Sequence, residues 1–314
     1  MVFFLFFPFF FFLFIFVFYN LKSKFDNNLT LKVEWFNPYY LDDQNNGSTL
    51  YPDNILQPML RDLIEKYKPS TIFSDGDWYQ QENYWKSAEF LSWLYSESPV
   101  KDEIVVNNRW GSGACAKSCY HSVELANGGY NAHPWEEART IGSSWGYHRG
   151  LLEQDYQNAT ELVHWLIRVT ANGGNLLLNI GPEADGRIPL IFQERLRQIG
   201  EWLNVNSEAI FNSNPNLPEQ SEANNTIYYT VSEDYQFLYS IFLKWPKDGK
   251  LVLTVPVPDE SSQVKINFIG YDSDLTWDYS SNTLTIQLPY FIPGELPCDH
   301  AWTLRLSGFQ IERP

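Results

Sequence analysis

The run MLRDLIEKYKPSTIFSDG, residues Met59 to Gly76, decides the fold class. Met59, Leu60, Leu63, Ile64 and Tyr67 recur at helical spacing, and Lys68-Pro69 ends that pattern. Thr71-Ile72-Phe73-Ser74 then reads as a short buried strand, stopped by Asp75-Gly76. The alternation continues along the chain. Ala88 to Tyr95 reads as a helix, and Glu103 to Val106 as a strand closed by Asn107-Asn108-Arg109. Ala159 to Thr170 carries Leu162, Val163, Leu166 and Ile167 on one helical face, and Asn172-Gly173-Gly174 stops it. Asn175 to Ile180 is another buried strand, and Phe192, Leu196, Ile199 and Leu203 form the stripe of a long last helix. Leu31 to Phe36 and Ser143 to Tyr147 read as further strands. Nearly continuous apolar strands alternating with helices imply an α/β fold with a parallel sheet covered on both faces. No glycine-rich phosphate loop follows a strand, which disfavours a nucleotide-binding doubly wound sheet. Polar residues gather just after the strands instead, at Asp75, Arg109 and Asn179. A (β/α) barrel assembles its site at that end. Residues 31–211 are therefore expected to form a partial, TIM-like (β/α) barrel.

Residues 212–226, NSNPNLPEQSEANNT, read as a polar linker. Beyond it the apolar period falls to two. Strands are expected at Thr226–Val231, Phe237–Trp245, Leu251–Val257, Val264–Ile269, Thr283–Leu288 and Ala301–Leu306. Residues 227–314 are thus expected to form a C-terminal antiparallel β-sandwich.

Upstream, residues 1–20 are an apolar leader, read as a signal peptide, an anchor or an artefact of a misassembled gene start. Eleven of the 22 Phe lie between Val2 and Tyr19, and such near-pure Phe has no amphipathic period. This tract is left out of the barrel, and a buried core segment is the least favoured reading of it. A formal charge of −16 over 314 residues disfavours binding of a nucleic-acid backbone. Asn-x-Ser/Thr triplets at Asn28, Asn46, Asn158 and Asn224 add mild support for the secretory route. The three cysteines, Cys115, Cys119 and Cys298, are too few for a disulfide framework. Cys115 and Cys119 read as a local disulfide or free thiols, and no fourth ligand marks a zinc site.

Two carboxylates stand out by position. Asp75 directly follows a buried strand, although Asp-Gly is also a common turn. Glu136, in His133-Pro-Trp-Glu-Glu137, stands beside an indole. Packing on an indole would raise a carboxyl's pKa for general-acid work; the plainer reading is a solvated Glu pair in a loop. Trp78, Tyr79, Tyr84, Trp85, Trp110, Trp135, Trp145 and Tyr147 lie near the proposed strand ends, where rings could stack on sugar C–H faces. Trp85 and Trp93 are better read as packing a helix onto the barrel. Arg109 and Asn179 could bind sugar hydroxyls. Two acids among aromatics suit glycoside hydrolysis.

These motifs resemble one family. Tyr67 to Trp78, YKPSTIFSDGDW, is similar to the nucleophile segment of the α-L-fucosidases, family 29 of the glycoside hydrolases. Phe90 to Gly111, Trp135-Glu136, Ser144 to Tyr147, Gly173 to Pro182 and Ala301-Trp302-Thr303 continue the resemblance to its animal lysosomal branch. The resemblance implies retaining release of terminal α-L-fucose, with Asp75 as nucleophile and Glu136 as acid/base. It implies that Arg109, Phe73 and Trp145 contact the sugar and that no metal or other cofactor is required. Implied partners are fucosylated glycans of glycoproteins or glycolipids, with no nucleic acid. Family and leader together imply a lysosomal or secreted location, the leader by itself implies membrane anchoring if it is retained, and the resemblance implies a homo-oligomer. One departure is visible. All five His lie at or after His121, whereas the family carries sugar-binding histidines on earlier strands. Residues 31–211 also fall short of the about 250 residues of a complete barrel. The rival expectation is therefore an inactive, N-terminally truncated fucosidase-like protein, at most a weak sugar-binding or scaffold module.

Overall fold

The computed structural model describes residues 14–18, 47–75, 80–112, 114–115, 118–124, 134–216, 218–273, 275–292 and 294–313. The expected strand at Leu31–Phe36 lies outside these residues, as do Gly76, Asp77, Trp78 and Tyr79. The chain divides into two compact units, residues 1–122 and 123–314.

In the first unit, strands β1 (Phe14–Phe18), β2 (Thr71–Asp75) and β3 (Val105–Val106) pair in parallel in that order. Phe14 is opposite Thr71 and Phe18 opposite Asp75. Five residues of the tract set aside as a leader therefore run as a strand beside the central one. An unbroken apolar run lacks any period, yet the β-propensity of Phe, Ile and Val suits it to a parallel strand. No helix among the described residues is long and apolar enough to cross a membrane.

Helices α1 (Gln57–Tyr67), α2 (Glu82–Trp85) and α3 (Ser87–Ser96) complete this unit. Leu60 and Ile64 of α1, Phe90 and Leu94 of α3, and Ile72 of β2 share one core with Trp85 and Trp110. Lys68 ends α1 in the left-handed conformation, and Lys68-Pro69 reverses the chain into β2. Trp85 is buried in this core and Trp93 packs on it, as expected for helix-packing tryptophans. The Arg61 guanidinium lies 4.3 Å from the Trp93 ring centroid. Cys115 and Cys119 form a local disulfide with their Cα atoms 5.6 Å apart.

Strand β4 (His121–Glu124) leads toward the second unit. There β5 (Trp135–Thr140) and β6 (Gly174–Asn179) are parallel partners, with Glu136 opposite Asn175. Between them in sequence runs α4 (Ala159–Ala171), and α5 (Leu190–Asn206) follows. The expected strand at Ser143–Tyr147 is a series of bends; the strand is Trp135–Thr140 instead. Its Glu-Glu-Ala-Arg centre looks like a loop locally, and partners distant in sequence allow it to be buried.

The antiparallel half follows the expected pattern. One sheet runs β12 (Lys265–Phe268), β15 (Trp302–Ser307), β10 (Phe237–Phe242), β9 (Ile227–Ser232) and β7 (Ser213–Pro215), with β8 (Ser221–Glu222) also on β9. The other runs β11 (Lys250–Leu253), β14 (Thr283–Gln287) and β13 (Thr276–Ser280). Tyr229, Phe242, Phe268, Leu253, Ile286 and Leu304 fill the space between them, as in a sandwich. Segment 212–226 is not a free linker, because β7 and β8 within it both pair with β9. Strand β13 escaped the sequence reading because its side chains are mostly exposed and carry no apolar alternation. Trp202 Nε1 donates to the Ala301 carbonyl at 2.8 Å, joining α5 to the start of β15.

Candidate active site

Strand alternation sets the group around Asp75. Ile72 faces the core shared with α1 and α3. Phe73 and Asp75 therefore project from the pleat opposite to that of Ile72, on the face of β2 away from those helices. Asp75 is the last residue of β2, at the C-terminal end where barrel sites form. Arg109 Nη1 donates to Asp75 Oδ1 at 2.6 Å, in a charge-assisted bond between two mostly buried side chains. The Arg109 guanidinium carbon stands 5.3 Å from the Phe73 ring centroid. Three of the residues nominated from sequence, Phe73, Asp75 and Arg109, thus form one group.

A fourth residue holds this group, and the sequence reading assigned it only to a strand end. Asn107 is fully buried. Its Oδ1 accepts from the Ser74 amide at 3.0 Å, and its Nδ2 donates to the Ser74 carbonyl at 2.8 Å. The side-chain amide thereby grips both backbone groups of the residue preceding Asp75. The Ser74 hydroxyl in turn reaches the Arg109 carbonyl. These bonds fix the two chain segments that carry the Asp75–Arg109 pair. The Asn-Asn-Arg run was the available signal, but nothing local says that Asn107 turns inward.

The second nominated carboxylate stands on β5. Glu136 is buried, at 7% exposure, and Glu137 is fully buried, so neither belongs to a solvated loop. Trp135, Glu137 and Arg139 occupy the face toward α4. Glu137 accepts from Arg139 Nε and from Arg168 Nη2 of α4, the latter at 3.0 and 3.3 Å to its two oxygens. Arg139 lies over the Trp165 ring of α4 at 4.2 Å. Trp135 Nε1 donates to the Asn172 carbonyl at 3.1 Å. A Cβ on Gly174 would stand 2.5 Å from the Trp135 ring, so that position takes only glycine without a shift. Period two then places Glu136, Ala138 and Thr140 on the face away from α4. Adjacent carboxylates thus differ by pleat: one is tied to a covering helix, and the other is presented to the sheet's opposite face.

The nominated aromatics sort by packing. Trp85, Trp110 and Trp135 are buried structural rings, so they are not open sugar platforms. Trp145 and Tyr147 are exposed, at 44% and 43%. They lie in the loop after β5. Asn179, which could bind sugar hydroxyls, donates from Nδ2 to the Trp145 carbonyl at 2.7 Å and to Thr140 Oγ1 at 3.2 Å. Thr140 Oγ1 also donates to the Ser144 carbonyl at 3.1 Å. The ends of β5 and β6 thus hold the Trp145 loop by its backbone. Among the described residues no group of His, Cys, Asp and Glu is placed to hold a metal.

A family model described as alpha-L-fucosidase matches residues 13–208, and one described as the alpha-L-fucosidase C-terminal domain matches residues 220–307. The first match begins inside the Phe tract. The plasma alpha-L-fucosidase of Rattus norvegicus is 40% identical over 282 residues, covering 88% of this chain and 61% of that protein. The tissue alpha-L-fucosidase of Homo sapiens is 40% identical over 291 residues, with 88% and 60% covered. Among solved structures, Thermotoga maritima alpha-fucosidase in complex with fucose gives a TM-score of 0.66 at 25% identity, covering 82% of this chain and 57% of that one. A GH29 alpha-L-fucosidase from Bacteroides thetaiotaomicron gives 0.67 at 20% identity, covering 82% and 59%, a likeness of fold. The chain spans about three fifths of the length of the relatives it matches.

Proposed function

This chain belongs to the α-L-fucosidase family, and from that membership we propose that it is a retaining glycoside hydrolase releasing terminal α-L-fucose from glycoconjugates. The observation that carries the reading is Asp75 at the C-terminal end of β2, on the pleat away from the helices and bonded to Arg109 at 2.6 Å. In the proposed reaction an Asp75 oxygen attacks the anomeric carbon of fucose. Glu136 protonates the leaving glycosidic oxygen as that bond breaks. Glu136 then takes a proton from water, whose oxygen displaces Asp75 and regenerates the free carboxylate.

Arg109 orients the Asp75 carboxylate through that bond and contacts the sugar. Phe73 supplies an apolar wall, and Trp145 stacks on the sugar from its exposed loop. The placement of Glu136, buried on β5 and on the pleat away from α4, supports its role. Fucosylated glycans of glycoproteins or glycolipids are the substrates of this reading. The location is lysosomal or extracellular, and the protein is a glycoprotein made on the secretory route. It acts without metal or organic cofactor.

The test is turnover of an aryl α-L-fucoside by the full chain and by Asp75→Asn and Glu136→Gln. Each variant should lose at least about a hundredfold in kcat. Glu136→Gln should lose least on substrates with acidic leaving groups, which need no proton. Normal hydrolysis by either variant would refute its assignment, and a wild-type chain without turnover would refute the activity.

A further inference from the structure

We propose that Asn158 is an N-glycosylation site whose carbohydrate grows from the N-terminal cap of α4; this rests on the secretory location proposed above. The triplet is Asn158-Ala159-Thr160. A triplet alone is weak, and the fold adds three observations.

The first is accessibility: Asn158 is exposed, while Ala159 beside it is buried. The second is how the side chain is used. Asn158 Oδ1 accepts from the Glu161 amide at 3.0 Å, and the Glu161 carboxylate accepts from the Asn158 amide at 2.9 Å. This capping box uses only the carbonyl oxygen of the Asn158 side chain. The nitrogen that would carry a sugar is not engaged in the cap, so a glycosylated Asn158 keeps its capping bond. The third is room. A groove of about 520 Å³ opens beside Asn158, lined by Thr160, Glu161, Arg195, Gln198 and His300. Its amide, guanidinium and imidazole groups suit the hydroxyls and acetamide of a first N-acetylhexosamine better than an apolar wall would.

The covalent step needs a lipid pyrophosphate-linked oligosaccharide as donor. Asn158 Nδ2 forms the bond to the anomeric carbon. The bond from that carbon to the pyrophosphate oxygen breaks, the lipid pyrophosphate leaves, and one amide proton passes to a base. No redox change occurs.

Two variants separate the triplet from the fold. Ala159 is the first residue of α4, where proline is tolerated, yet proline in the middle of the triplet blocks transfer. Thr160→Ala removes the acceptor hydroxyl, which also bonds His300 Nδ1 at 2.8 Å, while Thr160→Ser keeps the triplet. The experiment expresses the full chain in eukaryotic secretory cells behind a fused cleavable signal sequence. Peptides are then mapped with and without peptide-N-glycosidase in heavy-oxygen water. The Asn158 peptide should carry hexosamine and hexose mass and convert to labelled Asp on enzyme treatment. That modification should vanish in Ala159→Pro and Thr160→Ala and persist in Thr160→Ser. Transfer occurs on the unfolded chain, so a variant that folds poorly still reports. An unmodified Asn158 peptide in secreted wild-type protein overturns the proposal, as does a glycan that survives both blocking variants. If the unfused chain lacks glycan while the fused chain carries it on Asn158, the site stands and the secretory location fails.

Discussion

Glu137→Ala is the perturbation whose cost the structure fixes best. Glu137 has a fully buried side chain between two arginines. The Arg139 side chain is 7% exposed and its guanidinium is pinned over Trp165 at 4.2 Å, so it cannot turn to water when the carboxylate is removed. Arg168 is 23% exposed and can recover part of its hydration. Each charge-assisted bond contributes about 1.5–3 kcal/mol. The bond to Arg139 should be lost in full and that to Arg168 in part, leaving one buried cation unpaired. The expected destabilisation is about 3–5 kcal/mol, the usual result of removing one partner of a buried pair. Glu137→Gln keeps the shape and an accepting oxygen, so it should cost roughly half as much. The measurement is urea unfolding followed by tryptophan fluorescence, since Trp135 and Trp165 both adjoin the network. A double-mutant cycle with Arg168→Met should return a coupling of about 1–3 kcal/mol. A Glu137→Ala protein within about 1 kcal/mol of wild type would show that Glu137 does not anchor β5 to α4.

Three further outcomes are expected. Asn107→Ala leaves the Ser74 amide and carbonyl without their side-chain partners; it should cost about 2–4 kcal/mol and lower turnover of an aryl α-L-fucoside more than tenfold, read by thermal melting and initial rates. Gly181→Ala places a Cβ 2.5 Å from the Gly146 carbonyl carbon and the Tyr147 nitrogen; it should displace the Trp145 loop, cost about 1–3 kcal/mol and raise KM, and a variant with wild-type Tm and KM would refute that close approach. Burial, chiefly, pulls His164 below the ordinary value of 6.5, against the raising effects of its bond to the His300 carbonyl and of Glu161 and alongside the lowering effects of His300 and Lys244. The unfolded chain therefore takes up this proton first as pH falls, so stability is lost from pH 6.5 downward through the folded value and regained as pH rises; His164→Gln should flatten that part of a melting-temperature profile between about pH 5 and pH 7.5.

The two halves of the chain were legible because each rests on a local period. Leu60, Ile64 and Ile72 announce a helix followed by a buried strand, and the alternation after residue 226 announces antiparallel sheets. Asp75 was legible for the same reason, since a strand and its stop residue are neighbours in sequence. The Phe tract was not, because an apolar run without a period fits a leader and a parallel strand equally well. Its placement at Phe14–Phe18 depends on Thr71–Asp75, far along the chain.

The sequence by itself determined the fold class, the strand-end position of Asp75 and Arg109, and the family resemblance. The tertiary structure alone decided that Glu136 and Glu137 lie on a buried strand, and which of them faces α4. It alone made Asn107 a clamp and Asn179 a loop anchor. The physical reason is that burying a charge or an amide is costly unless a partner meets it. Glu137 has one such partner on its own strand, Arg139, and a second, Arg168, on a helix 31 residues further along the chain. Local sequence can set a residue on a pleat, but only packing supplies the group that lets it stay there.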